Sequence, residues 1–284
     1  MKIAKTIREF NCLIDNLKKE SQKKISFVPT MGNLHQGHLE LIKNARELAD
    51  IVVISIFINP LQFGADEDLE KYPKTIDKDI ENLKKYEADI LFLPNSKDLY
   101  HDEFPLTKIN NSKFSKIHCG KARPTHFQGV CTVVNILFNI VKPDLALFGQ
   151  KDYQQFLIIK KMVKDFHMPI KIIGIDTVRH TDGLALSSRN QYLNYEQRKN
   201  APLLYEKLNF LKKTICSGST NYSEICSQVI KELKPYNFDF EYLYLCNIFD
   251  LSIIEDGDDF KKSILITATK LGNTRLIDNL IVNK

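Results

Sequence analysis

The fold of this chain is decided by the stretch ISFVPTMGNLHQGH, residues 25–38. The β-branched and aromatic run at 25–28 predicts a strand, and apolar residues at helical spacing predict a helix over 37–49. His35 and His38 therefore lie where a strand passes into a helix. In an α/β sheet this is the carboxyl edge, where ligands bind.

The composition of this turn suits a phosphate-bearing ligand. A helix N-terminus offers N–H groups and a positive dipole end to an anion, and Gly32 and Gly37 allow backbone to approach it closely. The His-x-Gly-His pattern is similar to the nucleotide-binding signature of the adenylyl-transferring superfamily that includes class I aminoacyl-tRNA synthetases. Two alternatives stay open, a metal pair and two partly buried histidines that cap a turn. The lack of a nearby Cys or third His disfavours the metal pair.

Bulk properties exclude several classes of protein. At 284 residues with 43% hydrophobic residues, the chain suits two domains or one large one and is neither disordered nor fibrous. No apolar run approaches the roughly 20 residues that span a bilayer, and the N-terminus lacks the apolar core of a secretory signal. The net charge is +5, with lysines mixed among acids as on solvated helix faces. We therefore expect no membrane partner and no nucleic-acid partner.

The six cysteines carry no metal-binding spacing. They stand at 12, 119, 131, 216, 226 and 246, without a Cys-x-x-Cys pair. This pattern predicts reduced thiols in a cytoplasmic protein, most of them in the core.

Strand-like and helix-like segments alternate along the first half of the chain. Near-continuous apolar runs such as 51–58 are typical of strands buried on both faces of a parallel sheet. The chain is therefore predicted to be an α/β protein, with a Rossmann-like parallel sheet and helices on both faces. The predicted strands are 25–28, 51–58, 90–93, 145–148 and 170–175, and the helices 37–49, 76–86, 127–141 and 153–166.

The sequence pattern changes after about residue 190. Two helices, 195–213 and 222–233, precede strands at 238–245, 263–269 and 274–279. These form a smaller C-terminal α+β domain, which gives boundaries of 1–182 for the catalytic domain and 183–284 for the smaller domain that closes over the active site. The stretch 94–126 is predicted to be an irregular functional loop or lid.

A second turn with functional residues follows the predicted strand at 145–148. Gly149 permits close approach, Lys151 supplies a mobile positive charge, and Asp152 can cap the next helix. An ordinary turn with a surface lysine is the alternative. Because this turn and the histidine turn lie on the carboxyl edge of one sheet, together they suit a triphosphate.

Three further segments carry polar groups. Ser187, Ser188 and Arg189 can donate several hydrogen bonds to phosphate oxygens at a domain hinge, although a plain linker is the alternative. Gln62, with Asn59 before it, could orient a small polar substrate or serve only as turn chemistry. Arg123 and His126, which end the irregular stretch, could pair a carboxylate.

These segments, in this order, resemble the pantoate–β-alanine ligase (pantothenate synthetase) family. The matching text is PTMGNLHQGH, FINPLQFG with DLEKYP, RPTHFQGV, FGQKDYQQ and DGLALSSRNQYL, within the first 195 residues. Gln150 stands where the family commonly has Glu, and Leu186 where Met is common. Neither departure affects a side chain that the chemistry needs.

The resemblance implies an ATP-dependent reaction that joins pantoate to β-alanine and releases AMP and pyrophosphate. Pantoate's carboxylate attacks the α-phosphorus of ATP to give a pantoyl adenylate, and the amine of β-alanine then expels AMP. ATP is expected as a substrate with Mg²⁺, whose ligands the sequence does not identify, and Asp79 is one candidate. The family also implies a homodimer.

The resemblance also assigns the site residues. His35, His38 and Lys151 are the catalytic groups, with His38 as the proton donor. Gln62, Gln155, Arg123 and His126 bind pantoate, Gln62 is also near β-alanine, and Tyr72 is a candidate at the substrate entrance. The ATP site comprises Met31, Gly32, Asn33, Leu34, His35, Gln36, Gly37, His38, Gly149, Gln150, Lys151, Asp152, Val178, Leu186, Ser187, Ser188 and Arg189.

Two other functions are distinguishable from a ligase. A nucleotidyltransferase would keep the adenylyl group on its product, whereas a ligase consumes an amine and yields free AMP. A nucleotide-binding regulator would bind ATP and release no pyrophosphate. The histidine pair, Lys151 and the Ser-Ser-Arg segment argue against a regulator, which has no use for groups around the α-phosphate.

Overall fold

The computed structural model describes residues 1–18, 23–64, 67–101 and 104–283. It divides into two compact units. The first comprises Met1–Gln150 and Ile158–Asp176, and the second comprises Lys151–Leu157 and Thr177–Lys284. The chain thus enters the second unit briefly at 151–157 before the main change between residues 176 and 177. The boundary expected from the sequence lay at 182/183.

The first unit contains a six-stranded sheet in which every pairing is parallel, with strand order β1-β4-β3-β2-β5-β6. This confirms the predicted Rossmann-like α/β class, with one edge strand, β1, that the sequence analysis missed. The strands are β1 (Lys2–Ala4), β2 (Ile25–Thr30), β3 (Ile51–Ile56), β4 (Ile90–Phe92), β5 (Leu145–Gly149) and β6 (Lys171–Ile175).

Helices connect these strands as parallel crossovers require. Their bounds are α1 (Ile7–Lys18), α2 (Gln36–Leu48), α3 (Ile76–Lys85), α4 (Ser96–Tyr100), α5 (Cys119–Ala122), α6 (His126–Val141) and α7 (Tyr153–Asp165). The stretch 94–126 is therefore less irregular than predicted, because its described part contains α4, α5 and a 3-10 turn at Phe114–Lys116. Residues 102 and 103 of that stretch lie outside the described part.

The centre of the sheet is buried and mostly apolar, with Ser26 of β2 and Ser55 of β3 as buried hydroxyl residues. The first five residues of β3 are buried, and so are the first four of β2. Leu41, Ile42 and Ala45 of α2 pack in the same cluster as these strands. Burial on both faces explains why these strands read as continuous apolar runs and do not alternate with polar residues.

The second unit has a three-stranded antiparallel sheet in the order β7-β8-β9. Its elements are α8 (Tyr195–Asn200), α9 (Leu203–Cys216), α10 (Tyr222–Leu233), β7 (Phe238–Asn247), β8 (Ser263–Leu271) and β9 (Thr274–Asn283). The single helix predicted over 195–213 is wrong. It is two helices, because Pro202 lacks the N–H that a continuous helix would use and is the N-cap residue of α9 instead.

The prediction that most cysteines lie in the core is only half correct. All six are free thiols, but only Cys131, Cys226 and Cys246 are buried, and Cys12 and Cys216 are exposed on amphipathic helices. Burial raises the pKa of Cys131 and of Cys226 to about 12, so these thiols are protonated at neutral pH.

Iodoacetamide is therefore expected to alkylate the native protein at Cys12 and Cys216 and to spare Cys131, Cys226 and Cys246, because the thiolate is the reacting form. Peptide mass spectrometry before and after denaturation checks this. Equal modification of all six in the native protein would contradict the burial described.

Within the described part of the chain, no helix combines the length and the hydropathy needed to cross a bilayer.

Candidate active site

The strand order of the first unit reverses direction between β2 and β5. From β2 the chain proceeds to β3 and β4 on one side, and β5 leads to β6 on the other. The loops after β2 and β5 therefore diverge, and such a switch point is where open α/β sheets bind ligands. The turn after β2 contains His35 and His38, and β5 ends at Gly149.

A cavity of about 310 Å³ opens beside the same turn. It is lined by residues that follow three neighbouring strands, among them Gly32 and Asn33 after β2, Phe57 after β3 and Pro94 after β4. Asp79 of α3 completes its wall. The carboxyl edge of the first unit thus contains an open volume lined by loop residues.

The turn after β2 requires unusual backbone. Gly32 and Asn33 both have positive φ, 82° and 51°, a conformation that glycine and asparagine adopt most easily. A Cβ at Gly32 would lie 3.0 Å from Ile56 Cγ2. A residue with a Cβ at position 32 would therefore be strained both by its positive φ and by a tight contact with Ile56.

The two histidines cap α2. The N-cap residue His35 accepts a hydrogen bond at Nδ1 from the backbone N–H of Gly37, at 3.2 Å. His38, three residues later, accepts one at Nδ1 from the backbone N–H of His35, at 3.3 Å. The ring centroids are 4.1 Å apart. This reciprocal arrangement is a capping box in which imidazoles take the place of the usual Ser/Thr and Glu side chains.

Capping also determines where each imidazole carries its proton. A ring nitrogen that accepts from a backbone N–H cannot itself hold a hydrogen, so the neutral rings of His35 and His38 are protonated at Nε2. Both rings are therefore Nε2–H donors at the carboxyl edge of the sheet. The turn-capping alternative from the sequence is thus present in the structure, and it leaves each Nε2–H as the donor of its ring.

Asp79 forms hydrogen bonds with the backbone of the turn after β2. This carboxylate on α3 is only 1% exposed. Its Oδ2 accepts from the backbone N–H of Asn33 at 2.9 Å and from Thr75 Oγ1 at 3.1 Å, and its Oδ1 accepts from the N–H of Leu34 at 2.8 Å. These three hydrogen bonds satisfy both carboxylate oxygens with neutral donors. Asp79 thus fixes the backbone one to two residues before His35.

A buried asparagine organises the turn after β3. The Oδ1 atom of Asn59 accepts from the N–H of Leu61 at 3.1 Å and from the hydroxyl of Tyr100 at 2.7 Å, and its Nδ2 donates to the carbonyl of Gly129 at 3.1 Å. Burial raises the pKa of Tyr100, which keeps this hydroxyl protonated as a donor. A Cβ at Gly129 would overlap the carbonyl of Leu61, so α6 packs directly on this turn.

This asparagine in turn orients Gln62. Backbone groups on both sides fix the orientation of the Asn59 amide, so the atom of Gln62 that faces Asn59 Nδ2 at 3.0 Å must be the oxygen Oε1. The amide nitrogen of Gln62 then points toward Met31, with Nε2 3.1 Å from the sulfur. Gln62 therefore presents N–H donors beside the histidine turn, which suits a ligand carboxylate or hydroxyl.

The backbone of Gln62 is held by the two polar residues predicted near it. Arg123 forms a two-pronged ion pair with Glu67 and donates from Nη2 to the carbonyl of Gln62 at 3.3 Å. His126 Nδ1 lies 2.9 Å from the same carbonyl and must donate to it, which makes its tautomer opposite to that of the capping histidines. Tyr72 is buried and packs edge-on against Phe63, with ring centroids 5.9 Å apart.

Gly149 and Gln150 end the first stretch of the first unit, and the second unit contains Lys151, Asp152, Gln155, Val178 and residues 186–189. Lys151 lies in a 3-10 turn directly before α7, and its ammonium is 3.7 Å from Asp152 Oδ2. Tyr153, the first residue of α7, donates from its hydroxyl to the carbonyl of Ile248 at 3.2 Å. Burial raises the pKa of Tyr153 to about 12, so this donor stays protonated. Gln155 is half-buried two residues further on.

The Ser-Ser-Arg segment has defined local structure. Leu186 donates from its N–H to the carbonyl of Val178 at 3.0 Å, which joins two of the predicted ATP-site residues. Ser187 Oγ accepts from the N–H of Arg189 at 3.3 Å and caps the 3-10 helix Ser188–Tyr192.

The described residues contain no cluster of three or more His, Cys, Asp or Glu side chains that could hold a metal ion. The engagement of both Asp79 oxygens by backbone and hydroxyl donors also makes this residue unsuited to direct ligation of a cation. The sequence analysis did not identify the functions of Asn59, Tyr100 and Asp79 in holding the site. An isolated aspartate 46 positions from a turn gives no sequence signal.

Comparison with known proteins gives one family. The family model for pantoate–β-alanine ligase matches residues 2–281. The pantothenate synthetase of Pseudomonas putida KT2440 is 46% identical over 286 aligned residues, which cover 100% of this chain and 98% of the relative. That of Azotobacter vinelandii DJ is 47% identical, with 98% of each covered.

Solved structures agree with the sequence comparison. The crystal structure of pantothenate synthetase from Thermus thermophilus matches with a TM-score of 0.91 and 38% identity, and covers 100% of both chains. A pantoate–β-alanine ligase from Francisella tularensis, crystallised with β,γ-ATP and β-alanine, matches with a TM-score of 0.81 and 36% identity over 99% of this chain and 98% of that one.

Proposed function

The chain belongs to the pantoate–β-alanine ligase family, and from this membership we infer how its own residues carry out the family's reaction. It is an ATP-dependent ligase that condenses pantoate with β-alanine to form pantothenate, AMP and diphosphate. The other two functions left open by the sequence, a nucleotidyltransferase that retains the adenylyl group and a regulator, are not those of this family.

The chemistry requires activation of a poor electrophile. An oxygen of pantoate's carboxylate attacks the α-phosphorus of ATP, the bond from that phosphorus to the bridging oxygen breaks, and pyrophosphate leaves. The amine of β-alanine then attacks the acyl carbon of the pantoyl adenylate, loses a proton and expels AMP. Negative charge grows on phosphoryl oxygens in the first step, so fixed donors aimed at them lower its barrier.

His35 and His38 are these donors in our proposal. The observation that carries it is the capping box: each Nδ1 accepts a backbone N–H, so each Nε2 must hold the ring proton. Donors fixed in this way need no reorganisation when charge develops, which is the source of their catalytic value. The family resemblance assigns His38 the role of proton donor.

We assign the rest of the ATP site by the same resemblance. Lys151, Ser187, Ser188 and Arg189 supply positive charge and hydroxyl donors to the phosphates, because guanidinium and ammonium groups form charge-assisted hydrogen bonds with phosphate. The backbone contributes the remaining contacts through Met31, Gly32, Asn33, Leu34, Gln36, Gly37, Gly149, Gln150, Asp152, Val178 and Leu186.

We assign the binding of pantoate to two glutamine side-chain amides. Gln62 directs its Nε2 donors toward Met31, which supports a role in binding a carboxylate or hydroxyl of pantoate, and it is also assigned to β-alanine. Gln155 is the second amide. Arg123 and His126 both hydrogen bond to the carbonyl of Gln62, so we propose that they act on pantoate mainly by holding Gln62.

Omission of single substrates tests this function. With ATP, pantoate and β-alanine together, the protein is expected to release AMP and pyrophosphate in equal amounts. Without β-alanine it should form pyrophosphate only to the level of one adenylate per active site, and without pantoate it should form none. Sustained pyrophosphate release without pantoate would contradict the assignment.

Replacement of Gln62 by alanine is expected to weaken pantoate binding by about tenfold or more, because a hydrogen bond to a charged group contributes about 1.5–3 kcal/mol. ATP binding should change little. Calorimetric titration with each substrate measures both, and Gln228→Ala, which removes an exposed glutamine from α10, is the matched control. Weaker ATP binding with unchanged pantoate binding would contradict the role of Gln62.

Four further features remain proposals. ATP reacts as its Mg²⁺ complex, in which the ion neutralises the polyphosphate and retains water ligands, consistent with the lack of a carboxylate cluster among the described residues. The family supports a homodimer, and the six free cysteines suit the reducing cytoplasm. Closure of the C-terminal domain over bound substrates is also a proposal.

A further inference from the structure

Two consecutive polar residues are buried on the last strand of the second unit. Asp278 and Asn279 of β9 are 5% and 7% exposed. The backbone N–H of Asn279 donates to Asp278 Oδ1 at 2.7 Å, which makes the pair one local unit. Burying such polar groups costs free energy unless they form hydrogen bonds. The partners of these hydrogen bonds therefore indicate the role of the two residues.

Asp278 binds Arg179 through a two-pronged ion pair. The guanidinium Nη1 and Nη2 atoms lie 2.6 and 2.9 Å from its two carboxylate oxygens. Arg179 also donates to the carbonyls of Gly183 at 3.1 Å and Asn279 at 3.2 Å, and stacks over Tyr205 with its Cζ atom 3.7 Å from the ring centroid. The guanidinium is thus held along its edge and on one face.

This ion pair anchors the segment that leads into Ser187, Ser188 and Arg189. Arg179 forms a β-bridge with Ala185, and the next residue, Leu186, donates to the carbonyl of Val178. These contacts pair the two ends of the segment 178–186, which therefore forms a narrow loop. Displacement of Arg179 would move the Ser-Ser-Arg segment that follows.

Asn279 anchors the second segment. Its Nδ2 donates to the backbone carbonyl of Lys151 at 2.8 Å. Lys151 is 128 positions earlier in the chain and carries the ammonium assigned to ATP. Its side chain is 17% exposed. One short stretch of β9 thus contacts both phosphate-binding segments of the second unit.

We propose that Asp278 and Asn279 are positioning residues for adenylate formation, and that they set the backbone of Lys151 and of the segment 178–189 in register for the phosphates of ATP. This inference rests on the assignment of Lys151 and Ser187–Arg189 to ATP. A buried ion pair contributes little net stability compared with apolar packing. A contribution to stability alone would therefore not explain why Asp278 and Asn279 contact both the segment 178–189 and the backbone of Lys151.

The test compares Asn279→Leu with wild type. Leucine has the same branched shape as asparagine and removes the donor to the Lys151 carbonyl. Single-turnover formation of adenylate from MgATP and pantoate is expected to slow about tenfold or more, because small misplacements of catalytic groups carry large rate costs. The KM for β-alanine, which reacts after adenylation, should stay within twofold. Asn283→Ala, an exposed asparagine on the same strand, should behave as wild type.

Stability is separated from positioning by a second control. Val282→Ala removes buried methyl groups from the core of the same strand and lowers the unfolding midpoint without touching the pair. Its adenylation rate should remain that of wild type. If Asn279→Leu does not fold, Arg179→Lys decides, because it keeps the positive charge and removes the two-pronged contact with Asp278. Adenylation within twofold of wild type in the decisive variant would overturn the proposal.

A double-mutant cycle tests whether Asn279 acts through Lys151. Lys151→Ala keeps the carbonyl and removes the ammonium, so adding Asn279→Leu to it should slow adenylation by less than twofold further. A full second tenfold loss would overturn action through Lys151. Near wild-type activity of Lys151→Ala alone would instead refute the ATP assignment itself, which distinguishes the two failures.

Discussion

Replacement of His38 by alanine is expected to slow adenylate formation by about 10²–10³, because one preorganised donor to a developing oxyanion contributes about 3–4 kcal/mol. The substrates should still bind. Rapid-quench measurement of pyrophosphate formed in the first turnover, with ATP and pantoate saturating, gives this rate directly. Full pantoate-dependent AMP production by the variant would remove His38 from the mechanism.

The tautomer of His38 allows a sharper pair of controls. Asparagine can offer an oxygen where Nδ1 accepts the N–H of His35, but it has no donor near Nε2, so His38→Asn should keep the cap and be as slow as His38→Ala. Glutamine can reach the Nε2 position with an amide N–H, and His38→Gln should recover part of the rate. Equal rates for the two variants would indicate that His38 serves only as a cap.

Replacement of Asp79 by alanine is expected to lower the free energy of unfolding by about 3 kcal/mol and the adenylation rate by about 10². The stability loss follows because the buried N–H groups of Asn33 and Leu34 would lose their acceptor, at about 1–3 kcal/mol each. The rate loss follows because the turn that holds His35 would shift. Chemical denaturation and single-turnover kinetics measure the two effects.

The matched control for Asp79 is on the same helix. Asp77 lies in the first turn of α3, is exposed, and shares the favourable interaction of an acid with the helix N-terminus. Asp77→Ala should cost less than about 1 kcal/mol and leave the rate unchanged. If the two alanine variants were alike in stability and rate, the proposed anchoring of the histidine turn by Asp79 would be wrong.

Local sequence signals predicted the sheet and the histidine turn. Apolar runs such as 51–58 marked strands that are buried on both faces, and the change from strand to helical spacing placed His35 and His38 at the carboxyl edge. The strand β1 was missed because three residues at a sheet edge carry almost no periodicity. Pro202 could have divided the helix predicted over 195–213.

Local sequence signals could not predict the residues that hold the site in place. Asp79 contacts a turn 46 positions earlier, and Asn279 contacts Lys151 at a separation of 128 positions. Periodicity and turn chemistry describe neighbours along the chain, whereas these contacts exist only once the sheets have formed. Asn59 was noted as a sheet-edge amide, but its control over the orientation of Gln62 depends on the packing of Tyr100 and α6 against it.

Attack of the pantoate carboxylate on the α-phosphorus is the central claim, and oxygen transfer tests it most directly. Pantoate labelled with ¹⁸O in both carboxylate oxygens is converted with ATP and β-alanine, and the products are analysed by mass spectrometry. The account predicts one ¹⁸O atom in every AMP and none in pyrophosphate. Unlabelled AMP, or label in pyrophosphate, would contradict it.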